Sequence, residues 1–148
     1  MIFVKKMATA LIVLGLSAAS LSGCHRTPDE VQVRQAIGVM TAAAEAGSAT
    51  DLVAPLSADF DGNGGELDPR SLGNMMRLLS LRGEHVGVVM GPVTIEHRGE
   101  RMLARFTVTL SRGGSLLPDQ LGMYEVESAW REEDGRWRCY IASWKHAI

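Results

Sequence analysis

Residues 59–64 (DFDGNG) have the spacing of the first half of a calcium-binding loop, in which alternate side chains supply oxygen ligands. Asp59, Asp61 and Asn63 would be the first ligands of such a site. The second half departs from the pattern, because the position that should close the site with a bidentate carboxylate is Arg70. The sequence therefore favours a turn in which Asx side chains bond their own backbone, with calcium as the weaker alternative.

Acid–base chemistry would depend on His97 and Tyr124, which fall on the inward-facing phase of the predicted strands. A proton-transfer site needs a carboxylate or histidine beside a donor that stabilises developing charge. Glu125 and Glu127 are one residue out of phase, so they are expected on the opposite face of the sheet. His97 and Tyr124 are thus the catalytic candidates of an enzyme hypothesis, and the competing interpretation makes them packed core or rim residues. No nucleophile elbow, phosphate-binding loop or further metal-ligand spacing occurs in the sequence, and we predict no cofactor.

A third reactive position is Cys24, which closes the sequence LSGC at residues 21–24. Lys5 and Lys6 precede an apolar run over residues 7–16 that is too short to span a membrane. This order of signals is typical of bacterial lipoproteins, whose cysteine is acylated and becomes the new amino terminus. Several acyl chains give stable anchoring where a single chain would be marginal.

We therefore predict a signal peptide over residues 1–23 and a lipidated Cys24 that begins a short tether over residues 24–28. The membrane, reached through the lipid, is the first predicted partner, and the cell envelope is the predicted location. His25 is not the aspartate that commonly retains such proteins at the inner membrane. By that resemblance, the outer membrane facing the periplasm is the expected destination.

The charge of the chain excludes a nucleic-acid-binding surface. The 148 residues carry a formal net charge of −2, which becomes −4 once Lys5 and Lys6 are removed with the signal. No polybasic run is present, so the electrostatic footprint of nucleic-acid binding is missing. With Cys24 acylated, Cys139 has no cysteine partner in the chain. We therefore expect no intramolecular disulfide and a buried, inert thiol.

Helical signals dominate the first half of the domain. The sequence TPDE at residues 27–30 predicts a capping box, with Thr27 as N-cap, and Gly47 ends the first helix. A second helix is predicted from about Asp51 to Ala58. A third should begin at Asp68-Pro69 and stop near Gly83. The first helix has an apolar stripe formed by Val33, Ile37, Met40 and Ala44.

From His85 onward the apolar period changes to two, which predicts strands. Turns are expected at Gly99-Glu100 and at Asp134-Gly135, and a loop over residues 111–122. In the last hairpin, Trp137, Cys139 and Ile141 would share the face of Trp130. Tyr140 and Trp144 would then lie on the outer face of the sheet, where two aromatic rings suggest a homodimer contact.

Three helices followed by a sheet whose last hairpin carries Trp130 and Trp137 resemble the nuclear-transport-factor-2-like (NTF2-like, or SnoaL-like) superfamily. The Ala46-Gly47 junction and Phe60, at the end of the predicted second helix, add to the resemblance. It implies an α+β domain over residues 29–148, with three N-terminal helices packed on a curved antiparallel sheet shaped like a cone. The superfamily includes isomerases, dehydratases, cyclases and non-catalytic domains, so the fold alone does not choose a function.

Such cones often hold a pocket, and five inward-facing residues are large enough to line one. These are Phe60, Met90, Phe106, Tyr124 and Trp130. The set is mostly apolar with one hydroxyl, as is usual for small-molecule sites. The loop over residues 111–122, with Leu116-Leu117, would suit a cover. The leading hypothesis is a lipid-anchored, non-catalytic domain that binds a small apolar ligand or an envelope protein. The alternative is an enzyme of the cyclase, isomerase or dehydratase type.

Overall fold

A computed structural model describes residues 27–113 and 119–147 of the chain, except for the side chains of residues 119–121. Within these ranges the chain forms three helices and six strands. The helices are α1 (Asp29–Ala46), α2 (Ala49–Val53) and α3 (Pro69–Leu81). The strands are β1 (Leu56–Gly62), β2 (His85–Met90), β3 (Thr94–Arg98), β4 (Arg101–Gly113), β5 (Asp119–Glu133) and β6 (Arg136–His146).

Both ends of α1 are defined by backbone groups. Pro28, not Thr27, occupies the N-cap, and no side chain caps the helix, so the predicted capping box is wrong. The Pro28 carbonyl accepts the first helical hydrogen bond from the Gln32 amide at 3.1 Å. At the other end, Gly47 adopts φ 72°, as predicted, and its amide returns to the last turn.

The predicted second helix is shorter than expected and is followed by a strand. Ser48 caps α2 by accepting a hydrogen bond from the Asp51 amide, and the helix ends at Val53. The chain then extends into β1, which pairs parallel with β6. Phe60 is therefore a buried residue of β1 and does not close a helix. The third helix begins as predicted, with Asp68 accepting a hydrogen bond from the Ser71 amide and proline in the first turn.

The described strands form one curved mixed sheet in the order β1-β6-β5-β4-β2, with β3 also paired to β4. The α+β class is confirmed. The expectation of three helices preceding a wholly antiparallel sheet is wrong, because β1 lies between α2 and α3 and runs parallel to its neighbour. β2 and β3 occupy the same edge of β4, and the Gly91-Pro92 bend separates them.

The β4–β5 hairpin extends into the region predicted as a loop. β4 continues to Gly113 and β5 starts at Asp119, so only residues 114–118 separate the strands. Leu116-Leu117, proposed as a cover, lie outside the described residues. The Gly99-Glu100 turn joins β3 to β4 as predicted. The Asp134-Gly135 turn joins β5 to β6, both residues with positive φ.

Trp137 and Cys139 are buried on the inner face as predicted, but a β-bulge reverses the predicted faces of β6 from Ile141 onward. Trp130 pairs with Cys139, but the preceding Ala129 pairs with Ile141, so Tyr140 is the extra residue. Beyond this point every side chain of β6 is shifted by one position. Ile141 is consequently 44% exposed on the outer face, and Trp144 lies on the inner face beside Gly62.

The core lies between α1 and the concave face of the sheet. Trp130, Met102 and Val33 are its most deeply buried large side chains. A second cluster joins the three helices through Ala43, Ala49, Leu52 and Met76. In the described part of the chain, no helix combines the length and apolar character needed to cross a membrane.

Candidate functional site

An apolar cavity of about 240 Å³ lies between the helices and the concave face of the sheet. The helical side contributes residues from α1, α2 and α3, and β1, β2, β4, β5 and β6 supply the rest. Representative lining residues are Met40, Ala44, Leu72, Phe60, Val88, Met90, Phe106, Leu110, Val126, Trp130, Ala142 and Trp144. The cavity exists because side chains of the three helices do not fill all the space over the concave face of the sheet.

The cavity runs from a buried floor to a half-exposed rim. Phe60, Trp130 and Cys139 form the floor and are almost fully buried. Leu110 of β4 and Val126 of β5 remain partly exposed and form part of the rim. A ligand entering from the rim would therefore exchange water for an increasingly apolar environment, which favours an apolar molecule.

The polar groups at the floor are satisfied within the protein. Trp130 Nε1 donates a hydrogen bond to Ser128 Oγ at 2.9 Å, and Ser128 Oγ donates to the Ala104 carbonyl at 3.3 Å. These bonds fix the indole ring and use the hydrogen of the buried hydroxyl. The floor can thus offer surface and shape to a ligand, and little hydrogen bonding.

The structure brings four of the five predicted pocket residues together. Phe60, Met90, Phe106 and Trp130 all line the cavity, whereas Tyr124 is not in the lining. Tyr124 instead packs against His146, with ring centroids 4.4 Å apart and ring planes tilted by 35°. It pairs with the lining residue Val108 across the β4–β5 ladder, which places the Tyr124–His146 pair beside the rim.

Sequence reasoning missed Trp144 and Ala142 as lining residues. Trp144 was predicted on the outer face, but the bulge at Tyr140 shifts the register of β6, so that Trp144 and Ala142 both line the cavity. A one-residue slip moves every later side chain to the opposite face, and alternation alone does not reveal where the slip occurs.

His97 and Tyr124 do not form one catalytic site. His97 pairs with Met102 near the β3–β4 turn, whereas Tyr124 pairs with Val108, six residues further along β4. At the rise of an extended strand, this separates them by roughly 20 Å. His97 is exposed and lies 3.7 Å from Glu30, whose pKa is lowered chiefly by its hydrogen bond from Arg34.

The three calcium candidates are engaged by protein groups in different directions. Asp59 pairs with Arg131 and accepts a hydrogen bond from Ser57. Asp61 accepts from the Gly65 amide at 2.6 Å, and the Asn63 side chain bonds both backbone groups of Trp144. Among the described residues, no group of three or more His, Cys, Asp or Glu side chains is placed to hold a metal ion.

The outer face of the sheet is dominated by ion pairs. Arg105 contacts Glu127 at 2.7 Å and Glu96 at 3.3 Å, and Lys145 contacts Glu125 at 3.2 Å. Tyr140 lies under the guanidinium groups of Arg101 and Arg131. The aromatic outer face on which the homodimer hypothesis rested is therefore reduced to Tyr140, since Trp144 faces inward.

Cys139 is a buried thiol of the cavity floor. Burial raises the pKa of the Cys139 thiol to about 12, so the reactive thiolate is scarce near neutral pH. In a protein whose Cys24 is replaced by serine, we expect Ellman's reagent at pH 8 to leave Cys139 unmodified until denaturant is added. Leu78→Cys, at a surface position, is the matched control and should react at once. Rapid reaction of native Cys139 would contradict the buried floor.

Comparison with solved structures reveals the same fold in several bacterial proteins. An NTF2-like protein with a cystatin-like fold from Novosphingobium aromaticivorans aligns with a TM-score of 0.67 at 16% identity, over 97% of this chain and 89% of that one. An NTF2-like protein from Pseudomonas putida KT2440 gives 0.62 at 16%, over 78% and 84%. A Catenulispora acidiphila protein in complex with S-DNPA gives 0.65 at 12%, over 79% and 92%.

Sequence comparison adds no closer relative: no protein-family model and no curated protein matches the chain. The structural similarity establishes the fold, but at sequence identities this low it does not establish the activity. The resemblance inferred from the helices and the tryptophan hairpin is confirmed at that level. The chain has an NTF2-like fold.

Proposed function

We propose that this protein is a lipid-anchored protein of the bacterial envelope whose NTF2-like domain binds a small apolar ligand without transforming it. The apolar cavity of about 240 Å³ carries the binding part of the proposal. The signal at residues 5–24 carries the anchoring part, and His25 favours the outer membrane as the destination.

The size of the cavity limits the ligand class. A protein cavity of about 150 Å³ lined by apolar side chains binds benzene. The present cavity is larger, which suits a compact molecule such as a fused two-ring hydrocarbon. A single polar group on the ligand would be tolerated at the rim, beside Tyr124 and His146.

The composition of the lining supports binding over catalysis. Among the described residues that line the cavity there is no aspartate, glutamate, histidine, lysine or arginine. The one titratable group at the floor is Cys139, whose thiol stays protonated near neutral pH. Proton transfer needs a group that exchanges a proton near the working pH, so this lining favours retention of an unchanged ligand. The S-DNPA complex of the Catenulispora acidiphila protein is a precedent for ligand binding on this fold.

Filling the cavity should abolish binding. Ala44 lines the cavity from α1, whereas Ala46 is exposed at the end of the same helix. We expect naphthalene to bind the unmodified protein saturably and to shift the amide resonances of Val126 and Ala142. Ala44→Leu should lose these shifts, because its side chain occupies the ligand's space. Ala46→Leu should retain them. Equal binding by both variants, or no saturable binding by the unmodified protein, would refute the ligand proposal.

A further inference from the structure

We propose that the solvent-facing side of α3 docks on an anionic membrane surface. Three large apolar residues project from this side at a spacing of three: Met75 is 52% exposed, Leu78 48% and Leu81 85%. The opposite side of α3 already packs the domain through Leu72, Gly73 and Met76. The exposed apolar residues are therefore surplus to the fold, and such patches mark interaction surfaces.

The positive charge on α3 indicates that the surface it binds is anionic. From its N-cap to its C-cap, α3 carries Arg70, Arg77 and Arg82 against one carboxylate, that of the N-cap Asp68. The domain as a whole is acidic, so this segment is locally opposite in sign. Within the described residues, no ion pair joins these three guanidinium groups to a carboxylate, and Arg77 donates a hydrogen bond to the neutral Asn74 side chain at 3.1 Å. Arg105 on the sheet, by contrast, contacts two carboxylates.

Apolar side chains flanked by arginines are the composition of helices that lie in a membrane interface. The apolar groups enter the boundary of the acyl chains, and the guanidinium groups pair with anionic phosphates. Water-soluble protein partners with an acidic groove share part of this chemistry. The lipid surface is favoured here because this inference builds on the proposed anchor. Residues 24–29 can extend no further than roughly 17 Å, so an acylated Cys24 would hold the domain at the bilayer.

A fluorescent label on α3 tests the contact directly. The full chain is purified from membranes with its lipid, carries Leu78→Cys labelled with bimane, and is placed in vesicles of phosphatidylcholine with or without phosphatidylglycerol. Cys139 is buried and should not take the label. We expect brominated lipids to quench the label at position 78 strongly in the anionic vesicles. The control Ser143→Cys, on the exposed outer face of the sheet, should stay unquenched.

The arginines provide the second arm of the test. Replacing Arg70, Arg77 and Arg82 by glutamine should remove the quenching at position 78. A control triple, Arg98→Gln, Arg136→Gln and Lys145→Gln, changes the net charge equally and should preserve it. Quenching that is equal at positions 78 and 143, indifferent to phosphatidylglycerol, or unchanged by the α3 triple would overturn the proposal.

A separate measurement tests whether Cys24 carries the lipid anchor. Mass spectrometry that finds no acyl chain on Cys24 refutes anchoring without deciding the docking. The same labels are then placed in a Cys24→Ser protein, and anionic vesicles are added in excess. Quenching specific to position 78 would still support docking by α3, and its absence would refute it.

Discussion

Replacing Trp130 with alanine is expected to lower the free energy of unfolding by about 3–5 kcal/mol. The side chain is 1% exposed, belongs to the same core cluster as Val33 and Ile37 of α1, and lies opposite Met102 of β4 and Cys139 of β6. Removing the ring enlarges a space that is already partly empty, so nearby groups cannot close the gap. A loss of this size is a large share of the ~5–15 kcal/mol that stabilises a typical domain. Urea unfolding followed by far-ultraviolet circular dichroism measures it.

Two controls separate the contributions to this loss. Trp130→Phe keeps most of the apolar volume and removes the hydrogen bond to Ser128, so its effect should be about 1–3 kcal/mol. Ile141→Ala, on the exposed outer face, should change stability by only about 0.5 kcal/mol. An unfolding midpoint for Trp130→Ala equal to that of Ile141→Ala would show that the ring is not structurally central.

Elements set by neighbouring residues could be predicted from the sequence. The third helix begins at Asp68-Pro69 because the side-chain cap and the proline act within one turn. The Asp134-Gly135 hairpin forms because both residues tolerate positive φ. The burial of Trp130 and Trp137 then followed from alternation measured from that turn.

Elements that depend on contacts between distant parts of the chain could not be predicted from the sequence. The sequence of residues 56–62 is compatible with either the end of a helix or a strand. Only pairing with β6, about eighty positions later, selects the strand. β propensity depends on such neighbours more than helix propensity does. Pro55 also favours the strand, because its carbonyl accepts a hydrogen bond from the Cys139 amide of β6 at 2.9 Å.

The candidate site shows the same division. Phe106 and Trp130 could be placed on the inner face because no β-bulge lies between either residue and the nearest predicted turn. Trp144 could not, because the bulge at Tyr140 lies between it and the Asp134-Gly135 turn. Tyr124 was correctly placed on the inner face, but its packing on His146 depends on where β6 ends.

Replacing Cys24 with serine is expected to abolish membrane anchoring completely. Serine lacks the thiol that would carry the diacylglycerol, so the chain should remain unprocessed or be released in soluble form. The outcome is measured by incorporation of labelled palmitate and by membrane fractionation of the full chain. The stability of the domain should not change, because Cys24 precedes α1, which begins at Asp29.

Cys139→Ala is the matched control for this substitution. It removes the other cysteine of the chain from a position buried in the domain, so labelled palmitate should still be incorporated. Loss of label in Cys24→Ser alone would assign the lipid to the predicted residue. Label that persists in Cys24→Ser, with the protein still in the membrane fraction, would refute the lipoprotein interpretation. The apolar cavity would then have to be explained without an anchor, because the described residues that line it all lie within α1 or after it.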